Sequence, residues 1–131
     1  MTSSIEIIVD GRPLPQPKPS SFGTRRFYKK PYLDWRHEVE VAAAVAAHEL
    51  DSMGEPWDAR MKAYAVRLRF YQPDRRRTDI DRLSSTILDA LTRAGLWEDD
   101  RLVSDLHASR AYSSRPRVEI TVRTAEVEVE S

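Results

Sequence analysis

Cysteine is absent from the chain, which excludes disulfides and thiolate metal centres and leaves Asp, Glu and three scattered histidines as possible ligands. Any metal held here is therefore a hard cation bound through oxygen. No apolar run reaches the length of about 18 residues that a membrane span needs. The opening MTSSIEIIVDGR lacks a basic stretch followed by a long apolar one, so neither a membrane span nor a signal peptide is expected and the expected location is cytoplasmic. Excess charge of either sign is missing too. Lys plus Arg and Asp plus Glu number 21 each, so no global positive field draws in nucleic acid.

Charge is instead segregated. From Gly11 to Arg36 seven basic residues (Arg12, Lys18, Arg25, Arg26, Lys29, Lys30, Arg36) face one acid, Asp34. A second basic group, Arg67, Arg69, Arg75, Arg76 and Arg77, faces only Asp74, while Glu126, Glu128 and Glu130 make the C-terminal end acidic. With 131 residues, 40% of them hydrophobic, the chain is long enough for one domain with a real core.

Ile5 to Val9, ended by Asp10-Gly11, reads as a strand and a turn. Pro13, Pro15, Pro17 and Pro19 then forbid a ladder or helix interior, so Arg12 to Lys30 is expected to be an extended loop. Phe22, Phe27 and Tyr28 lie among its cations, a composition that suits stacking and phosphate neutralisation and equally suits a solvated surface loop. Pro31 opens a helix through Trp35, Val39, Ala42, Ala46 and Leu50, which ends near Met53-Gly54. His37 and His48 are expected on its surface. Met61 to Tyr71 alternates, with Tyr64, Val66, Leu68 and Phe70 on one face of a strand. A second helix carries the stripe Ile80, Leu83, Ile87, Leu91, Ala94 and ends at Gly95. Strands follow around Leu106 to Tyr112 and Val118 to Val122, with Ser113, Ser114 and Pro116 as the turn between them. The order β-α-β-α-β-β predicts a single α+β domain in which two helices pack a small mixed sheet.

The chemistry concentrates between Pro73 and Asp105, PDRRRTDIDRLSSTILDALTRAGLWEDDRLVSD. Asp79 and Asp81 inside a regular helix would project about 200° apart. In an extended segment entering a helix they point the same way while Ile80 turns to the core. Two carboxylates held so close favour a cation between them, and Mg²⁺ or Mn²⁺ takes carboxylate and water oxygens while leaving room for a phosphate. Acids at a helix N-terminus also cap it and complement its dipole, so both readings stand here. Asp99 and Asp100 lie beyond the other end of the helix, where the dipole disfavours acids, and a returning chain could carry one back to the first pair. Asp89 and Arg93 form an i, i+4 pair, and Trp97 is expected in the core. Asp105 and His107 share a strand face with Ser109 and could approach the acids or simply be solvated.

The same stretch, with its arginine run, Asp-x-Asp, Asp-Ala-Leu, Gly-x-Trp and Asp-Asp, is similar to the RusA family of Holliday junction resolvases. The resemblance implies a dimeric, Mg²⁺-dependent endonuclease (Mn²⁺ as an alternative ion) that cuts four-way DNA junctions in recombination, repair or phage DNA processing. It implies one nuclease domain over residues 1–131, with a mobile basic proline-rich loop at 12–30 and an acidic tail at 124–131. Asp79, Asp81 and Asp100 fall on the family's catalytic and metal-binding carboxylates. The implied DNA contacts of the loop are Lys18, Arg25, Arg26, Lys29 and Lys30; those near the acids are Arg75, Arg76, Arg77, Arg82 and Arg110.

Three positions depart from the family's pattern: Thr78, Arg82 and Ser85 stand where arginine, asparagine and lysine are usual. A missing charge stabiliser can cost about two orders of magnitude in rate. The departures therefore motivate an alternative, a protein of this fold that binds branched DNA without cutting it. A third class, an assembly protein with a solvated acidic face, predicts no salt-dependent affinity for junction DNA.

Overall fold

The computed structural model describes residues 3–17, 20–22, 25–76 and 78–130; Lys18 and Arg77 lie outside them, and Arg25 and Arg26 are described by backbone pairing alone. In chain order the elements are β1 (Ser4–Asp10), β2 (Ser20–Phe22), β3 (Arg25–Phe27), α1 (Lys30–Ser52), β4 (Ala63–Gln72), α2 (Ile80–Arg93), a 3₁₀ turn (Asp100–Leu102), β5 (Val103–Tyr112) and β6 (Arg117–Ala125).

Four strands form one mixed sheet in the order β1-β6-β4-β5, with β4 and β5 parallel and the other pairs antiparallel. The α2 crossover makes the parallel pair possible, since parallel neighbours cannot be joined by a tight turn. Ser113 to Pro116 joins β5 to β6, yet these strands do not pair. The connection passes over the end of β4, where the Ser113 N–H donates to the Gln72 carbonyl at 2.9 Å. The proline-rich segment also differs from a plain loop: β2 and β3 pair antiparallel with each other once the prolines end.

Register fixes which side chains share a face. Ile7, Ile120, Leu68 and Ala108 form one row across the sheet, and Val9, Val118, Phe70 and Arg110 the next. These rows look toward Trp35, Val39 and Ala43 of α1 and Leu83, Ile87, Ala90 and Leu91 of α2, and together they make the core. Both helices thus cover one face. On the opposite face Glu6, Thr121, Arg67 and His107 align, a polar row with no helix over it among the described residues. The alternation expected in β4 holds, with Tyr64, Val66, Leu68 and Phe70 buried. His37 and His48 are exposed on α1, as expected, and His37 Nδ1 stands 3.5 Å from the Glu40 carboxylate.

Candidate functional site

The site grows from the C-terminal end of β4. After Gln72 the chain turns on Asp74, whose carboxylate accepts from the Arg76 N–H at 3.1 Å and from the Arg12 guanidinium at 3.3 Å. Thr78 comes next among the described residues, and its carbonyl accepts from the Arg110 guanidinium. Arg110 reaches it because the register turns this residue of β5 to the helix-covered face, beside Phe70.

Asp79 is the N-cap of α2. Its backbone is extended (φ −65°, ψ 122°), its carbonyl takes the first helical bond from Leu83 at 3.0 Å, and its side chain makes no capping hydrogen bond. The carboxylate stands instead 3.7 Å from Arg82 Nε, largely exposed. Asp81, in the first turn, is exposed and its carboxylate has no hydrogen-bonding partner among the described residues. The junction geometry on which the Asp-x-Asp reading depends is therefore present: one aspartate extended, the other helical, with Ile80 packed against the core. Neither side chain is consumed by capping.

Asp79 and Asp81 line an open hollow with Arg75, Arg76, Thr78, Ile80, Arg110 and Tyr112. The Arg75 guanidinium lies over the Tyr112 ring, 5.3 Å from its centroid. Two aspartates and three arginines thus line one hollow open to solvent, with the Arg76 guanidinium 3.5 Å from Asp74 and that of Arg110 on the Thr78 carbonyl. A phosphate ester and a cation have complementary partners there.

Asp100 is placed by different forces. Gly95, at φ +81°, ends α2, and the buried Trp97 donates its indole N–H to the Thr92 hydroxyl at 2.7 Å. Trp57 donates to the Leu96 carbonyl at 2.8 Å. These bonds pin the return. Asp99 then caps the 3₁₀ turn by accepting from the Arg101 N–H at 2.9 Å. Burial, reinforced by Asp99 and then by Asp89, raises the pKa of Asp100 above the ordinary carboxylate value.

Asp79 and Asp81 therefore line one hollow at the start of α2, while the acids that act on Asp100 are Asp99 and Asp89. Asp79 and Asp89 are separated by about 15 Å of helix axis. Among the described residues no three Asp, Glu, His or Cys side chains form a group able to hold a metal. Mg²⁺ commonly takes one or two protein carboxylates and completes its shell with water and substrate phosphate. Asp79 and Asp81, unpaired by caps, fit that share.

The remaining cations divide. Lys29 and Lys30 are exposed at the start of α1, Lys30 pairing with Asp34 at 2.6 Å. Ser85, at the position of the family's lysine, donates its hydroxyl to the Asp81 carbonyl at 2.9 Å. Asp105 and His107 do not approach the acidic hollow. They project from the uncovered face of β5 and line a separate concavity with Glu6, Arg67, Thr121 and Arg123. Sequence reasoning missed Tyr112 as the seat of Arg75 and Arg36 as the partner of Asp89. Alternation along β5 could have placed Tyr112 on the face of Arg110, but no local signal marks Arg36.

The family model described as Endodeoxyribonuclease RusA matches residues 10–123. The chain belongs to the RusA family. A curated relative, the crossover junction endodeoxyribonuclease RusA of Escherichia coli K12, is 40% identical over 58 residues, 44% of this chain and 48% of the relative. The enzyme of the same name from Enterobacteria phage 82 matches with the same identity and coverage. That of Escherichia coli O139:H28 is 50% identical over 40 residues, 30% of this chain and 33% of the relative. The matched stretch thus spans about half the length of the first two relatives. Among the described residues, no helix is long and apolar enough to cross a membrane.

Proposed function

We propose that this protein is an endodeoxyribonuclease that cuts four-way DNA junctions, acting as a homodimer in the cytoplasm in recombination, repair or phage DNA processing. The observation that carries the reading is the hollow that Asp79 and Asp81 line together with Arg75, Arg76 and Arg110. Asp79 and Asp81 would hold Mg²⁺, or Mn²⁺ in its place, with Asp100 as the third ligand that the family resemblance implies, and the ion would supply an activated water and offset charge on the phosphate. The guanidinium groups of Arg75, Arg76 and Arg110 take phosphate oxygens, and Arg110 also steadies the Thr78 carbonyl beside Asp79. Arg82, Lys29 and Lys30, together with Lys18, Arg25, Arg26 and Arg77, are the further cations proposed to contact the DNA backbone. Two equivalent sites in a dimer match the two-fold symmetry of a junction. The test is cleavage of a four-way junction in Mg²⁺ by wild type and Asp81→Asn: paired nicks are expected from wild type alone, and their persistence in the variant would sink the assignment.

A second reading, binding without cutting, is favoured by Ser85, whose hydroxyl is turned to the Asp81 carbonyl and puts no cation on that turn. Wild type that binds the junction and leaves both strands intact in Mg²⁺ and Mn²⁺ would establish it.

A further inference from the structure

Three arginines line the acidic hollow, and each guanidinium has its own anchor: Arg75 lies over Tyr112, Arg110 is bonded to the Thr78 carbonyl, and Arg76 stands 3.5 Å from Asp74. The third anchor is itself held from outside. One carboxylate oxygen of Asp74 accepts from the Arg76 N–H at 3.1 Å, closing a turn in which a side chain bonds the backbone two residues on. Both oxygens take the Arg12 guanidinium at 3.3 Å, a contact between residues 62 apart in sequence. Neither Arg12 nor Asp74 lines the hollow.

The backbone of Arg12 is fixed on both sides. The Gly11 N–H donates to the Pro116 carbonyl at 3.0 Å, and Gly11, at φ +129°, sits where an added Cβ would lie 3.1 Å from the Trp35 ring. On the other side the buried Gln72 amide donates to the carbonyl of the buried Pro13 at 3.5 Å. Next along the chain, the Leu14 carbonyl accepts from the Thr86 hydroxyl at 2.9 Å and the Gln16 N–H donates to the Arg82 carbonyl at 3.0 Å, so the residues after Arg12 are fastened to α2. Arg76 meets Asp74 through Nε. Its terminal amino groups make no hydrogen bond among the described residues, which leaves them for phosphate oxygens.

We propose that Arg12 and Asp74 are positioning residues for phosphate binding: Arg12 holds Asp74, and Asp74 sets the Arg76 guanidinium in the hollow that Asp79 and Asp81 also line. This rests on the nuclease reading above. Neither residue touches DNA in this scheme. A partly exposed ion pair contributes little by itself, so the effect falls on selectivity. A guanidinium held in one place matches one arrangement of phosphates, whereas a loose one neutralises any phosphate alike.

The experiment measures affinity, without metal and at matched salt, for a fluorescent four-way junction and for a linear duplex of the same arm sequence. The proteins are wild type, Asp74→Asn, Arg12→Gln and the double variant. Asparagine keeps an oxygen for the Arg76 N–H and removes the ion pairs. Asp74→Asn makes the protein more positive and Arg12→Gln makes it more negative, so a mere counter-charge role shifts their affinities for both DNAs in opposite directions. Positioning instead lowers the ratio of junction to duplex affinity in both, by about fivefold, and the double variant falls no further than the single ones. A ratio equal to wild type in either single variant, or losses that add in the double variant, overturns the role. A melting temperature that falls together with both affinities shows that the pair serves the fold, and overturns it too. Wild type that binds junction and duplex alike overturns the nuclease reading itself, and this role with it.

Discussion

The Arg36 guanidinium donates to the Asp89 carboxylate at 3.0 Å and ties α1 to α2 on the side of α2 that neighbours Asp100. Arg93 adds a second contact to the same oxygen at 3.3 Å, and the Arg36 side chain is only 15% exposed. The pair expected within α2 alone is thus the outer half of an interhelical clamp. Removing the buried half, by Arg36→Met, leaves Asp89 with only the exposed Arg93. The expected cost is about 1–3 kcal/mol, measured by urea unfolding. Arg93→Ala should cost roughly 0.5 kcal/mol or less.

The carboxylates of Asp79 and Asp81 contribute little to folding. Neither caps α2 through its side chain, so Asp→Asn at either position removes a favourable charge near the helix N-terminus, worth about 0.3–1 kcal/mol, and at Asp79 also an exposed contact with Arg82 that adds little. Junction cleavage should fall about a hundredfold or more in each variant while thermal melting stays close to wild type. Comparable losses in melting temperature and in activity would show that these acids serve the fold.

Asp100 should behave in the opposite sense. Its carboxylate is partly desolvated beside Asp99 and Asp89, so Asp100→Asn removes repulsion from the metal-free protein. The expected outcome is a higher melting temperature without metal, and loss of any further increase on adding Mg²⁺.

Ser85→Lys adds a cation one helical turn from Asp81. Cleavage at saturating junction should rise about tenfold or more if charge stabilisation on that turn limits the rate. The check is kcat measured beside an Asp81→Asn/Ser85→Lys control, which should remain inactive.

Tyr64 contributes to the response to alkali. Its buried hydroxyl donates to the Asp58 carbonyl at 2.9 Å and accepts from the Met61 N–H at 3.0 Å. Burial raises its pKa above 10.0. The folded state therefore keeps the proton in a window where the unfolded chain has lost it, so this stability is complete below pH 10.0 and declines as pH rises through the folded pKa. Tyr64→Phe should cost about 1–3 kcal/mol at neutral pH through the lost hydrogen bonds. The gap to wild type should narrow in alkali, as read from denaturant melts across the pH series.

The sequence by itself determined what depends on neighbours a few residues away. Alternation from Tyr64 to Phe70, the stripe from Leu83 to Leu91, Pro31 at the start of α1 and Gly95 after α2 each report a local period or a local backbone need, and each element lies where they place it. The junction at Asp79 was legible for the same reason, since a capping residue must be extended while the next turn is helical. Tertiary structure alone decided that β4 separates β5 from β6, which puts Arg110 and Tyr112 with the acids and Asp105 and His107 on the far face. It also decided that Arg36 meets Asp89, that Leu14 meets Thr86, and that Asp100 neighbours Asp89. These partners are far apart along the chain, and side-chain periodicity fixes only the face a residue occupies. The partner across that face is set by strand order, register and the path of the connections, which no local pattern encodes.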